Sequence, residues 1–209
     1  QCDWSSDVCS SDLQVLKNRL SRDQADAALA RLEATADPAR VQGAELVIEA
    51  VFEDRAVKAE VTALAARHMP AHAVFASNTS TLPITGLAAA FPDPARFVGL
   101  HFFSPVERMP LVEIIRGKKT GDLALAMAMD FVQKIRKTSI LVNDSRGFYT
   151  SRVFGTYTNE AHEMVCEGIR PALIENAGRM AGMPMPPLAL TDEVSLDLDL
   201  KSTRLNSSH

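Results

Sequence analysis

Hydrophobic and polar positions alternate along the chain between two kinds of spacing. Leu16, Leu20, Ala27, Ala28 and Leu32 recur at helical spacing with charges between them, and Ser21 can cap a helix that restarts there. Leu46–Val51 is a short continuous apolar run with one Glu inside it, as a buried parallel strand requires. Asp54 then predicts a capped helix from Arg55 to about His68, ended near Pro70. Ala73–Ala76 reads as a second strand, Pro83–Ala90 as a short helix, Phe97–Phe103 as a third strand and Leu111–Arg116 as a fourth. Leu123–Ile135 is amphipathic, and Ile140–Val142 completes the series as a further strand. Beyond Gly147 the pattern changes. Phe148–Val165 and Ala172–Met180 are helical, with Gly147 and Gly182 as breaks and no further strand. The expectation is an α/β doubly wound parallel sheet followed by the start of an all-helical domain, with the boundary near Asn143–Gly147.

The two ends do not share this pattern. A DNA strand that encodes Cys2–Cys9 has a reverse complement that, in a shifted frame, encodes Thr203–His209. Both ends therefore read as translated sequencing adapter. This divides the chain into 1–12 and 201–209 as artefact, 13–145 as an α/β domain and 146–200 as the start of a helical domain. Setting the ends aside leaves Cys166 as the one cysteine, so no disulfide framework or cysteine metal site is expected.

Composition narrows the functional classes only mildly. The 209 residues are 46% hydrophobic and 23% charged, as in ordinary globular proteins. A net charge of −4 and the lack of a basic run argue against nucleic acid. No apolar stretch reaches membrane-spanning length, and no secretory signal is visible, so a cytoplasmic location is the expectation.

The chemistry is concentrated in a few stretches. His101 lies at the end of an apolar strand, where Pro105 and Pro110 make the chain leave the sheet, and such strand ends carry sites. Glu113 stands within Leu-Val-Glu-Ile-Ile, where an unpaired carboxylate would be costly to bury. Pairing the two explains that burial and makes a general base with an orienting acid. Ser77–Ser80 follows a strand, where small polar groups can cap a helix or bind a ribose or a substrate oxygen. Glu53 reads as a first-turn helix acid or a cofactor contact, and Lys58 most simply as a solvated helix residue. Ser151, one turn into a helix, can face a cleft. His68, His72 and His162 lack any partner pattern and read as surface residues.

Ile48–Glu53, Ser77–Leu82, Gly99–Pro105, Leu111–Ile115 and Gly147–Arg152 together resemble the 3-hydroxyacyl-CoA dehydrogenase family in order and spacing. Arg108–Gly117 and Asn143–Phe154 are similar to the α-subunits of multifunctional fatty-acid oxidation complexes. The resemblance implies a Rossmann-like fold, NAD as cofactor, an L-3-hydroxyacyl-CoA substrate and β-oxidation as the setting. It implies His101 as catalytic base, Glu113 as its orienting acid and Ser80 on the reacting oxygen. Ala50, Glu53, Lys58 and Asn78 match positions that line the NAD site, and Ser80 and Ser151 match substrate contacts. A homodimer or a thiolase-containing complex is the implied assembly, with no metal. Two departures stand out: Ser151 replaces an Asn common in the family, and the first βα unit with its Gly-x-Gly-x-x-Gly turn does not occur in the chain. A sheet lacking that unit is expected to be unstable and to bind NAD poorly. The alternatives are a related β-hydroxyacid dehydrogenase acting on a CoA-free substrate, and a non-catalytic remnant or oligomerisation module.

Overall fold

The computed structural model describes residues 15–17 and 19–194, so the two adapter-like ends lie outside the described residues. The chain divides into two compact units, one ending at Arg40 and one beginning at Val41. The first contains helix α1, Arg22–Leu29. Ser21 caps it as expected: its hydroxyl accepts from Gln24 N, and the Gln24 side chain accepts from Ser21 N, a reciprocal capping box.

The second unit holds a five-stranded sheet in the order β1–β2–β3–β4–β5. The strands are β1 Leu46–Glu49, β2 Val74–Ser77, β3 Phe97–Phe102, β4 Leu111–Arg116 and β5 Thr138–Asn143. Between them run α2 Arg55–Ala66, the one-turn α3 Ile84–Leu87 and α4 Asp122–Lys134. Asp54 starts α2 by accepting from Ala56 N and Val57 N. The sheet is parallel except at one junction, where β3 and β4 run antiparallel. That junction departs from an all-parallel expectation. The eight residues between Phe102 and Leu111 are too few for a helical crossover, so the chain must turn straight back.

Period-two alternation divides the core into two layers. Val74, Ala76, Val98, Leu100, Val112 and Ile114 pack with Ala124, Leu125, Ala128 and Val132 of α4. The opposite face carries Phe75, Phe97 and Ile115 against Ala65 of α2, Ile84, Leu87, Phe91 and Phe148. His101 and Glu113 share the parity of Phe97 and Ile115, so they belong to this second face. Both faces are therefore covered.

Helices α5 Thr150–Cys166, α6 Pro171–Met180 and α7 Pro187–Val194 follow the sheet. The first two match the sequence pattern, whereas α7 has no counterpart in it. Its start is supplied from a distance, by Glu175 of α6 accepting from Leu188 N and Ala189 N. His162 is also not a plain surface residue: it is half-buried, with Nε2 3.1 Å from Thr191 Oγ1. Gly147 and Phe148 at the entry to α5 have left-handed φ values of 68° and 45°. Glycine adopts this freely, but Phe148 does so against steric preference.

Gly99 in β3 marks the tightest approach on the second face. A β-carbon there would lie 2.7 Å from Ile84 Cδ1 and 2.8 Å from Ile115 Cβ. Gly99→Ala therefore overpacks the layer, with an expected loss of about 1–3 kcal/mol. Parallel urea melts of parent and variant check this, and an unchanged midpoint would show that Ile84 yields without cost.

Candidate functional site

The antiparallel junction sets His101 directly opposite Glu113 in the ladder. Their side chains meet on one face, with His101 Nδ1 2.7 Å from Glu113 Oε2. Glu113 is 0% exposed and His101 5%. The imidazole neighbours two phenyl rings, 4.4 Å from Phe103 and 6.1 Å from Phe148 by centroids.

The start of α5 closes over the carboxylate. Glu113 Oε1 accepts from Tyr149 N at 3.1 Å and Thr150 N at 2.9 Å, and Oε2 also accepts from Thr150 Oγ1 at 2.9 Å. Burial raises the Glu113 pKa, but the hydrogen bonds from His101 and Thr150 outweigh it and hold the carboxyl below its ordinary value. Glu113 is thus a fixed anion. By holding Nδ1, it leaves Nε2 of His101 as the nitrogen that can take a proton.

A second polar cluster sits at the carboxyl ends of β1 and β2. Lys58 of α2 is 1% exposed, not solvated. Its ammonium lies 2.6 Å from Glu49 Oε1 and 3.5 Å from Glu53 Oε2. It also donates to the carbonyls of Val51 and Asn78, both at 3.3 Å. Glu49 takes Val51 N on Oε1 and Ser77 Oγ on Oε2. Glu53 precedes the Asp54 cap, so it is not a first-turn acid. Its Oε1 accepts from Thr79 Oγ1 at 2.5 Å and from Ser80 N and Thr81 N, both at 3.0 Å. Burial pushes the Glu53 pKa up, and the Thr79, Thr81, Lys58 and Ser80 interactions bring it below its ordinary value.

The polar run after β2 thus serves Glu53 instead of capping α3. Asp144, just after β5, does that work, accepting from Ile84 N and Thr85 N at 2.8 Å and from the Thr85 hydroxyl. Asn78 links the clusters, since its Oδ1 accepts from Phe102 N, one residue beyond His101. Ser80 is half-buried and contributes its backbone N–H, not its hydroxyl, to Glu53. Ser151 is half-buried beside Thr150, and Ala50 is exposed at the end of β1. Glu49, Thr150 and the Tyr149 amide were not singled out from sequence. Glu49 carried the signal that revealed Glu113, a lone acid in an apolar strand, whereas Thr150 carried none.

A mostly parallel sheet with polar groups at its strand ends and a buried His–Glu pair is a Rossmann-like arrangement. The comparisons specify it. Residues 6–145 match the 3-hydroxyacyl-CoA dehydrogenase NAD binding domain, and residues 147–208 match the C-terminal domain of the same enzymes. The chain belongs to the 3-hydroxyacyl-CoA dehydrogenase family. It is 40% identical over 190 residues to the fatty acid oxidation complex subunit alpha of Shewanella amazonensis, covering 91% of this chain and 27% of that one. The chain therefore spans about a quarter of the length of the curated relatives it matches. Among solved structures, Mycobacterium tuberculosis FadB2 is similar at 37% identity and a TM-score of 0.87, over 92% of this chain and 69% of that one. The (S)-3-hydroxybutyryl-CoA dehydrogenase PaaH1 of Ralstonia eutropha has 32% identity and a TM-score of 0.92, over 96% of this chain and 71% of that one.

Since the folded pKa of Glu113 lies below its ordinary 4.5, its hydrogen bonds stabilise the fold fully above that pH. The contribution is lost as pH falls through the folded value. Urea midpoints of the chain and of Glu113→Gln, taken across an acid series, should be furthest apart above about pH 5 and converge below it. A gap that widens on acidification would mean that Glu113 is not held as the anion.

Proposed function

We propose that the protein containing this chain oxidises L-3-hydroxyacyl-CoA to 3-oxoacyl-CoA with NAD, within fatty-acid β-oxidation. The observation that carries this reading is the buried His101–Glu113 pair at the carboxyl end of β3, whose carboxylate is saturated by donors. His101 takes the 3-hydroxyl proton at Nε2, and Glu113 keeps the ring oriented and faces the charge it gains. Ser80 and Ser151 are the substrate-facing hydroxyls, with Ser80 on the reacting oxygen. The small exposed Ala50, the half-buried Glu53 and Asn78, and the polar turns behind them suit a nucleotide laid across the ends of β1 and β2. Lys58 belongs to the same cluster. Bound NAD supplies the hydride acceptor.

The chain's division at 13–145 and 146–200, with adapter-derived ends 1–12 and 201–209, belongs to this reading. So do a cytoplasmic location and a homodimer or thiolase-containing complex, both supported by resemblance. Among the described residues no helix is long and apolar enough to cross a membrane.

The test follows NADH absorbance with the full-length protein and a 3-hydroxyacyl-CoA. The parent turns over, and His101→Gln loses roughly 10²–10⁴-fold in kcat. Turnover confined to a CoA-free 3-hydroxy acid would move the assignment to the related β-hydroxyacid dehydrogenases. Parental activity in His101→Gln would remove the base from His101.

A further inference from the structure

We propose that Thr150 is a positioning residue for the catalytic pair, its hydroxyl fixing the Glu113 oxygen that holds His101. The inference rests on the reading of His101 as the base. Glu113 Oε2 accepts from His101 Nδ1 at 2.7 Å and from the Thr150 hydroxyl at 2.9 Å. Oε1 accepts from the Tyr149 and Thr150 amides. Thr150 thus supplies two of these four donors and grips both oxygens from one residue. The terminal torsion of a Glu side chain is broad and sets no carboxylate plane of its own. Here the plane follows from the grip, because turning it breaks either the bond to the Thr150 amide or the bond to its hydroxyl.

The four contacts make different demands on the sequence. Backbone amides are present at the start of α5 with any residue except proline. The hydroxyl requires Thr or Ser at this position, so it is the contact that the side chain adds. Thr150 is half-buried, and its hydroxyl joins α5 to β4 across 37 residues of sequence. Without it, Oε1 keeps two amide donors and Oε2 is left with the imidazole. The carboxylate then turns toward the helix start, and the bond to Nδ1 loses its alignment. His101 feels this directly, because Nε2 has to meet the 3-hydroxyl within hydrogen-bond reach, and the ring's direction is set from Nδ1. A misplacement of about 1 Å costs on the order of a hundredfold in rate, so a smaller tilt corresponds to about tenfold.

The experiment uses the full-length protein with Thr150→Val, which keeps the shape and removes the hydroxyl, and Thr150→Ser, which keeps the hydroxyl. Thr150→Val is also made in a Glu113→Gln background. Each is assayed for the single-turnover rate of NADH formation with a 3-hydroxyacyl-CoA, for KM toward NAD and for thermal midpoint. The parent's turnover tests the reading of the function, and ratios to the parent test the inference. Thr150→Val should slow the single turnover about tenfold, while Thr150→Ser stays within about threefold of the parent and KM for NAD within about threefold in both. In the Glu113→Gln background Thr150→Val should cost less than about threefold more, since the route through the carboxylate is already broken. A parental rate in Thr150→Val would reduce the hydroxyl to a contact of the fold. Equal losses in Thr150→Val and Thr150→Ser would assign the effect to packing. A full further loss in the Glu113→Gln background would put Thr150 on the substrate and not on the carboxylate. Each of these overturns the proposal, and an inactive parent overturns the reading it rests on. If Thr150→Val does not fold, Thr150→Ala, which also lacks the hydroxyl, decides against Thr150→Ser.

Discussion

Glu113 has no contact with solvent, and a carboxylate so enclosed persists as an anion only where donors replace the water it has lost. Four donors do so: an imidazole from β3, a hydroxyl and two backbone amides from the start of α5. The sheet and the start of α5 meet at this charged group. The entry to α5 is shaped accordingly. Gly147 and Phe148 turn through the left-handed region so that the first amides of the helix face the carboxylate and the Phe148 ring closes beside His101. Strain at Phe148 is tolerated where burial in the second core layer holds the residue.

The antiparallel junction makes the pair possible. In a parallel pairing a helical crossover would separate the strands, and the His and the Glu would be set by the length of that connection. Here a short loop returns β4 alongside β3, so register alone brings His101 and Glu113 face to face. The loop is held from outside by Lys137, which donates to the Val106 and Met109 carbonyls at 2.5 and 2.6 Å. The same economy appears at β1 and β2, where a single buried ion pair ties two strand exits together.

Most of the fold was legible because it follows from periodicity. The limits of β4 and the capped start of α2 at Asp54 were visible in the sequence, and α4 and α5 fell within a residue or two of their predicted starts. His101 and Glu113 were legible for a different reason: an imidazole and a carboxylate in apolar strands each demand a partner. Lys58 was misread because helical spacing shows which residues share a face but not what covers that face. Glu113's contacts with Tyr149 and Thr150 span 36 and 37 residues, beyond any local pattern. Helix α7 escaped notice because its start is capped by Glu175, from another helix.

The sequence by itself determined the strand and helix alternation, the apolar faces and the presence of two buried charges needing partners. These are local properties of spacing and polarity, written into consecutive residues. Tertiary structure alone decided the saturation of Glu113 by the α5 terminus and the enclosure of Lys58 between two acids. The first brings groups 36 and 37 residues apart to about 3 Å, where a hydrogen bond forms, and the second depends on what packs over the α2 face, which spacing along the chain does not show.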